Sequence, residues 1–174
     1  RKRVATNSAL GYDHIINSIN QLIQQAEKET QISISNIGIG TPGTLDPQNN
    51  CSKNSNTLCL NGRPFKNDLE IATNKSFEMA NDANCFTVAE TNLGVFKNLI
   101  GKTKLSFGII MGTGVGGGIT IIGKVHTGIQ GIAGEWGHNF LDESGGACYC
   151  GKTGCIERII SGTALEKYYM DLSG

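Results

Sequence analysis

Along the segment from His14 to Glu29 the apolar side chains Ile15, Ile19, Leu22, Ile23 and Ala26 recur three or four residues apart. That spacing puts them on one face of an α-helix, so the segment predicts a helix with a single buried stripe. The period then shortens. "ISNIGIGTPG", Ile34–Gly43, is an apolar run closing in a glycine–proline turn and predicts a strand. "NDLE", Asn67–Glu70, has the form of a capping box and predicts the start of a short helix. "SFEMA", Ser76–Ala80, predicts a second strand. "NDANCFTVAETNLGVF" leads out of it into a helix whose expected inner face is Ala83, Phe86, Ala89 and Leu93. Asp82 is thus expected where a strand ends and a helix begins, the usual place for a site in α/β folds.

A polar break at "GKTK", Gly101–Lys104, is the expected domain boundary. Beyond it "LSFGIIMGTGVGGGITIIGKVHTG" predicts a strand, a glycine turn, a strand, a tight turn at Gly123–Lys124 and a strand, which is a meander. A last helix is expected over Ser161–Tyr169, with Thr163 and Glu166 as its capping box. The order predicts two α/β lobes, residues 1–100 and 101–174.

Charge removes some functions from consideration. Fifteen basic residues balance fifteen acidic ones, and no basic patch gives nucleic-acid binding electrostatic support. No apolar run approaches the roughly 18 residues of a membrane span, and no signal peptide is visible. Cys51, Cys59 and Cys85 are scattered singly, which suits a reducing cytoplasm better than a disulfide framework. Glycine contributes 24 of 174 residues, well above its usual share of roughly 7%. The excess gathers at Gly38–Gly43, Gly112–Gly118 and Gly131–Gly154, and clustered glycine predicts backbone that approaches ligands.

The densest chemistry lies in "GEWGHNFLDESGGACYCGKTGCIE", Gly134–Glu157. His138, Cys148, Cys150 and Cys155 make a Cys₃His set, a common closed zinc shell. Gly145, Gly146, Gly151 and Gly154 permit the turns that wrapping an ion requires. Disulfide pairing and ordinary free thiols remain open for these cysteines. "MGTGVGGG", Met111–Gly118, reads either as a turn of small residues or as a nest of backbone N–H groups for phosphate, with Thr113 adding a hydroxyl. It is neither a Walker loop nor a Rossmann fingerprint, because a strand follows it. Asp82 in "ANDAN" reads as a helix cap or as a proton acceptor. Glu135 and Glu157 read as surface charge or as hydrogen-bonding partners of sugar hydroxyls.

Taken together, "IGIGTPG", "NDAN", "IIMGTGVGGGI", "GEWGH" and "CYCGKTGCIE" resemble the ROK family of sugar kinases and repressors in order and approximate spacing. "KNSNTLCLNGRPF", Lys53–Phe65, and "AGEWGHN" most resemble the bacterial fructokinase/mannokinase branch. The resemblance implies a two-lobed actin-like (ribonuclease H-like) ATPase fold. It implies that Asp82 is the catalytic base and that zinc is held by His138, Cys148, Cys150 and Cys155. Sugar contacts are implied at Asn81, Asp82, Glu135, His138 and Glu157, with Gly43 and Asn56 lining the same pocket, and phosphate contacts at Thr113 and Gly114. The family's D-x-G-G-T phosphate loop and its later adenosine contact have no counterpart in these residues, so an internal piece of a longer, homodimeric protein is expected. The implied reaction is phosphorylation of a hexose by ATP with Mg²⁺, fructose at its 6-hydroxyl first among the sugars. A kinase for glucose, mannose or an N-acetylhexosamine, and a sugar-responsive repressor, are the alternatives.

Overall fold

The computed structural model describes residues 1–99, 102 and 104–174, and divides them into two units, Arg1–Asp82 and Ala83–Gly174. In the first unit the predicted apolar stripe forms helix α1, Tyr12–Thr30, which buries Ile15, Ile16 and Ile23. Strand β1 spans Asn36–Thr41, and β4, Ser76–Asn81, pairs with it in parallel from Asn36↔Ser76 to Thr41↔Asn81. Between them lie a small antiparallel pair, β2 (Thr44–Leu45) and β3 (Ser52–Lys53), and helix α2, Phe65–Thr73. The α1 stripe, Leu60, Phe65 and Leu69 of the α2 region, and Phe77 of β4 form one core, with Ile37, Ile39 and Met79 packed against it. Removing these side chains from water is the main favourable term for this unit. At its edge Lys75 Nζ bonds Glu27 Oε1 at 2.7 Å and the Ile34 carbonyl at 2.7 Å, joining the end of α1 to the starts of both strands.

Helix α2 begins two residues before the expected capping box. Pro64 is its N-cap, so Asn67 falls inside the helix. Proline has no N–H to lose and its fixed φ suits a helix start. Glu70, freed from capping, accepts the Phe77 N–H at 3.0 Å.

The second unit opens with helix α3, Asp82–Asn92, which begins on the last residue of the first unit. Strands β5 (Leu105–Met111), β6 (Val115–Ile121) and β7 (Lys124–Val125) follow as the predicted meander. Helices α4, Glu157–Ile160, and α5, Gly162–Ser173, end the chain. The expected boundary at Gly101–Lys104 includes Gly101 and Thr103, which lie outside the described residues, as does Ile100. The division found falls after Asp82 because α3 packs on β6. None of the described helices is long and apolar enough to cross a membrane.

The inner face of α3 is not the apolar one expected. Ala83, Asn84, Thr87 and Thr91 are buried, whereas Phe86 is 40% and Leu93 81% exposed, and Ala89 is exposed too. The reason lies in the opposing strand. A Cβ on Gly118 would lie 2.7 Å from Thr87 Oγ1 and 2.8 Å from the Ala83 carbonyl oxygen, so helix and strand meet at backbone distance. Only small side chains fit that gap, and the two threonine hydroxyls find partners within it. Thr87 and Thr91 hydroxyls donate to the carbonyls four residues back, each at 2.7 Å, and Thr91 Oγ1 meets Thr120 Oγ1 at 3.2 Å. The cap of α5 also differs from expectation: Ser161 Oγ, not Thr163, accepts the Ala164 N–H at 3.1 Å.

Gly118→Ala is expected to destabilise the protein by about 1–3 kcal/mol, the range for overpacking. A Cβ on Gly38, in β1, would meet nothing within 4 Å, so Gly38→Ala serves as the control. Chemical denaturation of the two variants should show a lowered midpoint for the first and a change within about 0.5 kcal/mol, or a slight gain, for the second.

Candidate functional site

The parallel pairing of β1 with β4 carries both strands to the same end, and the chain turns there at Gly43 and at Asn81. Gly43 has φ +73°, and a Cβ on it would lie 2.7 Å from Ser55 N, so glycine is required on both counts. Asn81 is buried and donates from Nδ2 to the Gly43 carbonyl at 3.0 Å. Asp82 follows immediately, exposed, as the first residue of α3. The loop that presses on Gly43 holds Ser55, buried, and Asn56, exposed. It is pinned by Asn61, which accepts the Ser55 N–H and donates to the Ser55 carbonyl, both at 2.9 Å. The first unit therefore gathers four of the expected residues, Gly43, Asn56, Asn81 and Asp82, at one end of its sheet. Asn61 and Ser55 are additions that the sequence motifs do not include. The signal for Asn61 is its Asn-Gly pair, a turn-forming dipeptide.

In the second unit the glycine-rich stretch divides into two functions. Gly112–Gly114 form the turn between β5 and β6, with Thr113 exposed. Gly116–Gly118 lie within β6 and serve packing: Gly116 and Gly118 face α3, while Gly117 faces the Gly134 carbonyl and the Trp136 ring. Trp136 donates from Nε1 to the Gly116 carbonyl at 3.2 Å and meets Phe107 edge-on, with ring centres 6.1 Å apart. This fixes the segment carrying Glu135 and His138.

The loop that follows folds back on itself through Cys148 N–H to the Lys152 carbonyl, 2.8 Å, and Gly151 N–H to the Cys148 carbonyl, 3.0 Å. Gly151 and Gly154 take φ of +86° and +72°, which glycine alone adopts readily. The result is that one ligand atom from each of His138, Cys148, Cys150 and Cys155 lies within 4.8 Å of the others. Bonds of about 2.3 Å to sulfur and about 2.0–2.1 Å to nitrogen set tetrahedral edges of roughly 3.5–3.8 Å around zinc. Cys150 Sγ stands 3.6 Å from Cys155 Sγ, and Cys148 Sγ 3.6 Å from His138 Nδ1, so two edges of the shell already have that length. Burial, and then the neighbouring thiols of Cys150 and Cys148, push the Cys155 thiol up to about 12. A cation that displaces its proton relieves that crowding.

Glu157, expected as a sugar contact, also has a structural task. Its Oε2 accepts the Val115 N–H at 2.9 Å and fills the space where Gly114 would carry a Cβ. The thiol loop is thereby joined to the glycine turn. The same turn is held from α5, where Gly162 N–H donates to the Gly112 carbonyl at 2.7 Å and Thr163 Oγ1 to the Thr113 carbonyl at 2.9 Å. Tyr149, which no sequence motif singles out, bonds through its hydroxyl to His138 Nε2 at 3.1 Å. Burial of that hydroxyl and the adjacent Glu157 carboxylate push the phenol above its ordinary value.

The sequence profile of the ROK family matches residues 1–173. The chain belongs to the ROK family. This ROK chain is 33% identical, over its whole length, to an N-acetyl-D-glucosamine kinase of Pectobacterium carotovorum subsp. carotovorum (strain PC1), of which it covers 59%. It is 35% identical over 88% of its length to the N-acetylgalactosamine kinase AgaK of Shewanella sp. (strain ANA-3), of which it covers 51%. Among solved structures, a ROK family glucokinase from Streptomyces griseus in complex with glucose and AMPPNP superposes with a TM-score of 0.82 at 28% identity, covering 97% of this chain and 51% of that one. The ROK chain thus spans between half and three-fifths of these relatives. Its fold is the actin-like α/β fold of the ROK sugar kinases. The two curated relatives are named for N-acetylhexosamines and not for fructose.

From the ligand cluster we expect one zinc ion per ROK chain. Cys150→Ala should abolish stoichiometric binding and leave the Cys148 and Cys155 thiols open to reagents. Metal analysis with thiol titration under reducing conditions measures both, and a wild-type protein with no zinc and with Cys148, Cys150 and Cys155 all freely titratable would exclude the assignment.

Proposed function

We propose that the protein is an ATP-dependent hexose kinase in which Asp82 is the general base. The observation that carries the reading is the position of Asp82 in a ROK chain. It stands exposed at the C-terminal end of β4, on the first residue of α3, beside an asparagine clasped to Gly43. There a carboxylate can take the proton of a sugar hydroxyl while that oxygen bonds to the γ-phosphorus of ATP, the bond from phosphorus to the bridging oxygen breaks, and ADP leaves. Phosphoryl transfer depends chiefly on positioning and charge stabilisation, with the base adding roughly 10²–10⁴-fold. Magnesium, bound with ATP, would supply neutralisation of the phosphate charge.

Gly43, Asn56, Asn81, Glu135, His138 and Glu157 are assigned to the sugar, and Thr113 and Gly114 in the β5–β6 turn to the nucleotide phosphates. Zinc at His138, Cys148, Cys150 and Cys155 would be structural, since a Cys₃His set leaves no open position for a substrate. The relatives named for N-acetylglucosamine and N-acetylgalactosamine support an N-acetylhexosamine as the sugar. Lys53–Phe65, similar to the fructokinase branch, supports fructose as the second reading. A cytoplasmic homodimer fits the reading.

Asp82→Asn should leave the fold intact, because asparagine also caps helices. It should lower kcat on the order of 100-fold or more, because an amide takes up no proton at neutral pH. If Asp82 served only as a cap, kcat would stay near normal with a small stability change. Measuring kcat, sugar affinity and melting temperature on the same pair of full-length proteins separates the two roles. A variant that keeps more than about a tenth of wild-type kcat removes Asp82 from the mechanism.

The sugar follows from a coupled assay of the full-length protein on N-acetylglucosamine, N-acetylgalactosamine, N-acetylmannosamine, glucose, mannose and fructose. The highest kcat/KM is expected on an N-acetylated sugar. A clear preference for fructose would reverse that order and leave the kinase reading in place.

A further inference from the structure

We infer that Cys150 is an oxidation site: a peroxide joins it to Cys155 in a disulfide, and the zinc held by the cluster is released. The inference rests on the reading of His138, Cys148, Cys150 and Cys155 as a zinc site, and adds a reaction to it. The three thiols are unequally placed. Cys150 is exposed, whereas Cys148 is 7% and Cys155 0% exposed. Oxidants select accessible thiols that stand beside a resolving cysteine. Cys155 Sγ, 3.6 Å from Cys150 Sγ, is that resolving partner.

The closure needed is small, since the two sulfurs must come from 3.6 Å to about 2.0 Å. Cys155 is held in place. It bridges Phe140 in antiparallel fashion, and the next residue, Ile156, donates its N–H to the Asn139 carbonyl at 2.9 Å. Cys150 stands at the other end of residues 151–154, of which Gly151, Lys152 and Thr153 are exposed. A Cβ on Gly151 would meet nothing within 4 Å, so this tip has room to move. Cys148 competes poorly for Cys150. Its Sγ faces His138 Nδ1 at 3.6 Å. A bond between Cys148 and Cys150 would also have to close across one intervening residue, which disulfide geometry rarely permits.

A cysteine that ligates zinc does so as the thiolate, which is also the form that peroxide oxidises. With hydrogen peroxide as the oxidant, the Cys150 thiolate attacks one oxygen, the O–O bond breaks, and a sulfenic acid and hydroxide form. The Cys155 thiolate then attacks the sulfenic sulfur, the S–S bond forms, and a second hydroxide leaves. The two thiolates have lost two electrons and the peroxide has gained them. Cys148 and His138 remain, and two ligands do not complete the four-coordinate shell of a structural zinc. The His138 ring, which the proposed function assigns to the sugar, then loses the bond that fixes it.

Treating the full-length, zinc-loaded protein with increasing hydrogen peroxide tests this. One zinc and two titratable thiols per chain should be lost together, with a chromophoric chelator reporting the metal. The loss should occur at concentrations that leave the half-buried Cys51, Cys59 and Cys85 reduced. Peptide mass mapping should find the Cys150–Cys155 bond, and dithiothreitol with added zinc should restore the thiols and the metal. Zinc release without that bond, a disulfide through Cys148, or a disulfide formed with zinc retained would overturn the inference and leave the zinc site standing. Oxidation of Cys51, Cys59 or Cys85 ahead of the pair would overturn it in the same way. A wild-type protein that binds no zinc removes the metal reading and this inference together.

Discussion

The second unit depends on the absence of side chains along one strand. Gly116, Gly117 and Gly118 alternate across β6, so α3 can approach one face and the Gly134–Trp136 segment the other, both at backbone distance. Larger residues would push both away. The approach decides which face of α3 turns inward, and it anchors Trp136 on the Gly116 carbonyl. From Trp136 the chain runs directly to His138. The metal-ligand loop therefore starts from a fixed point, and its tight turns close a cluster that already has tetrahedral edges in two places.

Glu157 makes the second junction. One carboxylate ties the first turn of α4 to the start of β6. A group of this kind links two sites without lying wholly in either. Order in the thiol loop fixes α4, and α4 fixes the glycine turn through Glu157 while α5 fixes it through Gly162 and Thr163. The first unit is built on a different physical basis. Its site end is set by the register of two parallel strands over a conventional apolar core, and by Asn61 and Asn81 bonding to backbone groups that would otherwise leave their loops loose.

Much of this is legible in the residues alone. Helix α1 and strands β1 and β4 follow from apolar period, and the meander follows from strand runs punctuated by glycine. The Cys₃His set is visible because thiols and imidazole at short spacing, separated by glycine, have few other uses. Asp82 at a strand-to-helix junction can be placed from the change of period alone. These features are local: each is set by side chains within one short continuous stretch of chain, so a one-dimensional reading captures them.

What only the tertiary structure decided depends on partners distant in sequence. Phe86 and Leu93 have the period of a buried face, but β6 leaves no room for them, and Thr87 and Thr91 are buried instead. Three of the glycines expected near ligands serve strand packing, because what they face is α3 and Trp136. Tyr149 meets His138 only because the turns of the thiol loop bring the two together. Hydrophobic period reports how a segment would bury itself against an average neighbour. The actual neighbour, here a strand with no side chains over three residues, sets the distance of approach, and that distance selects which residues are buried.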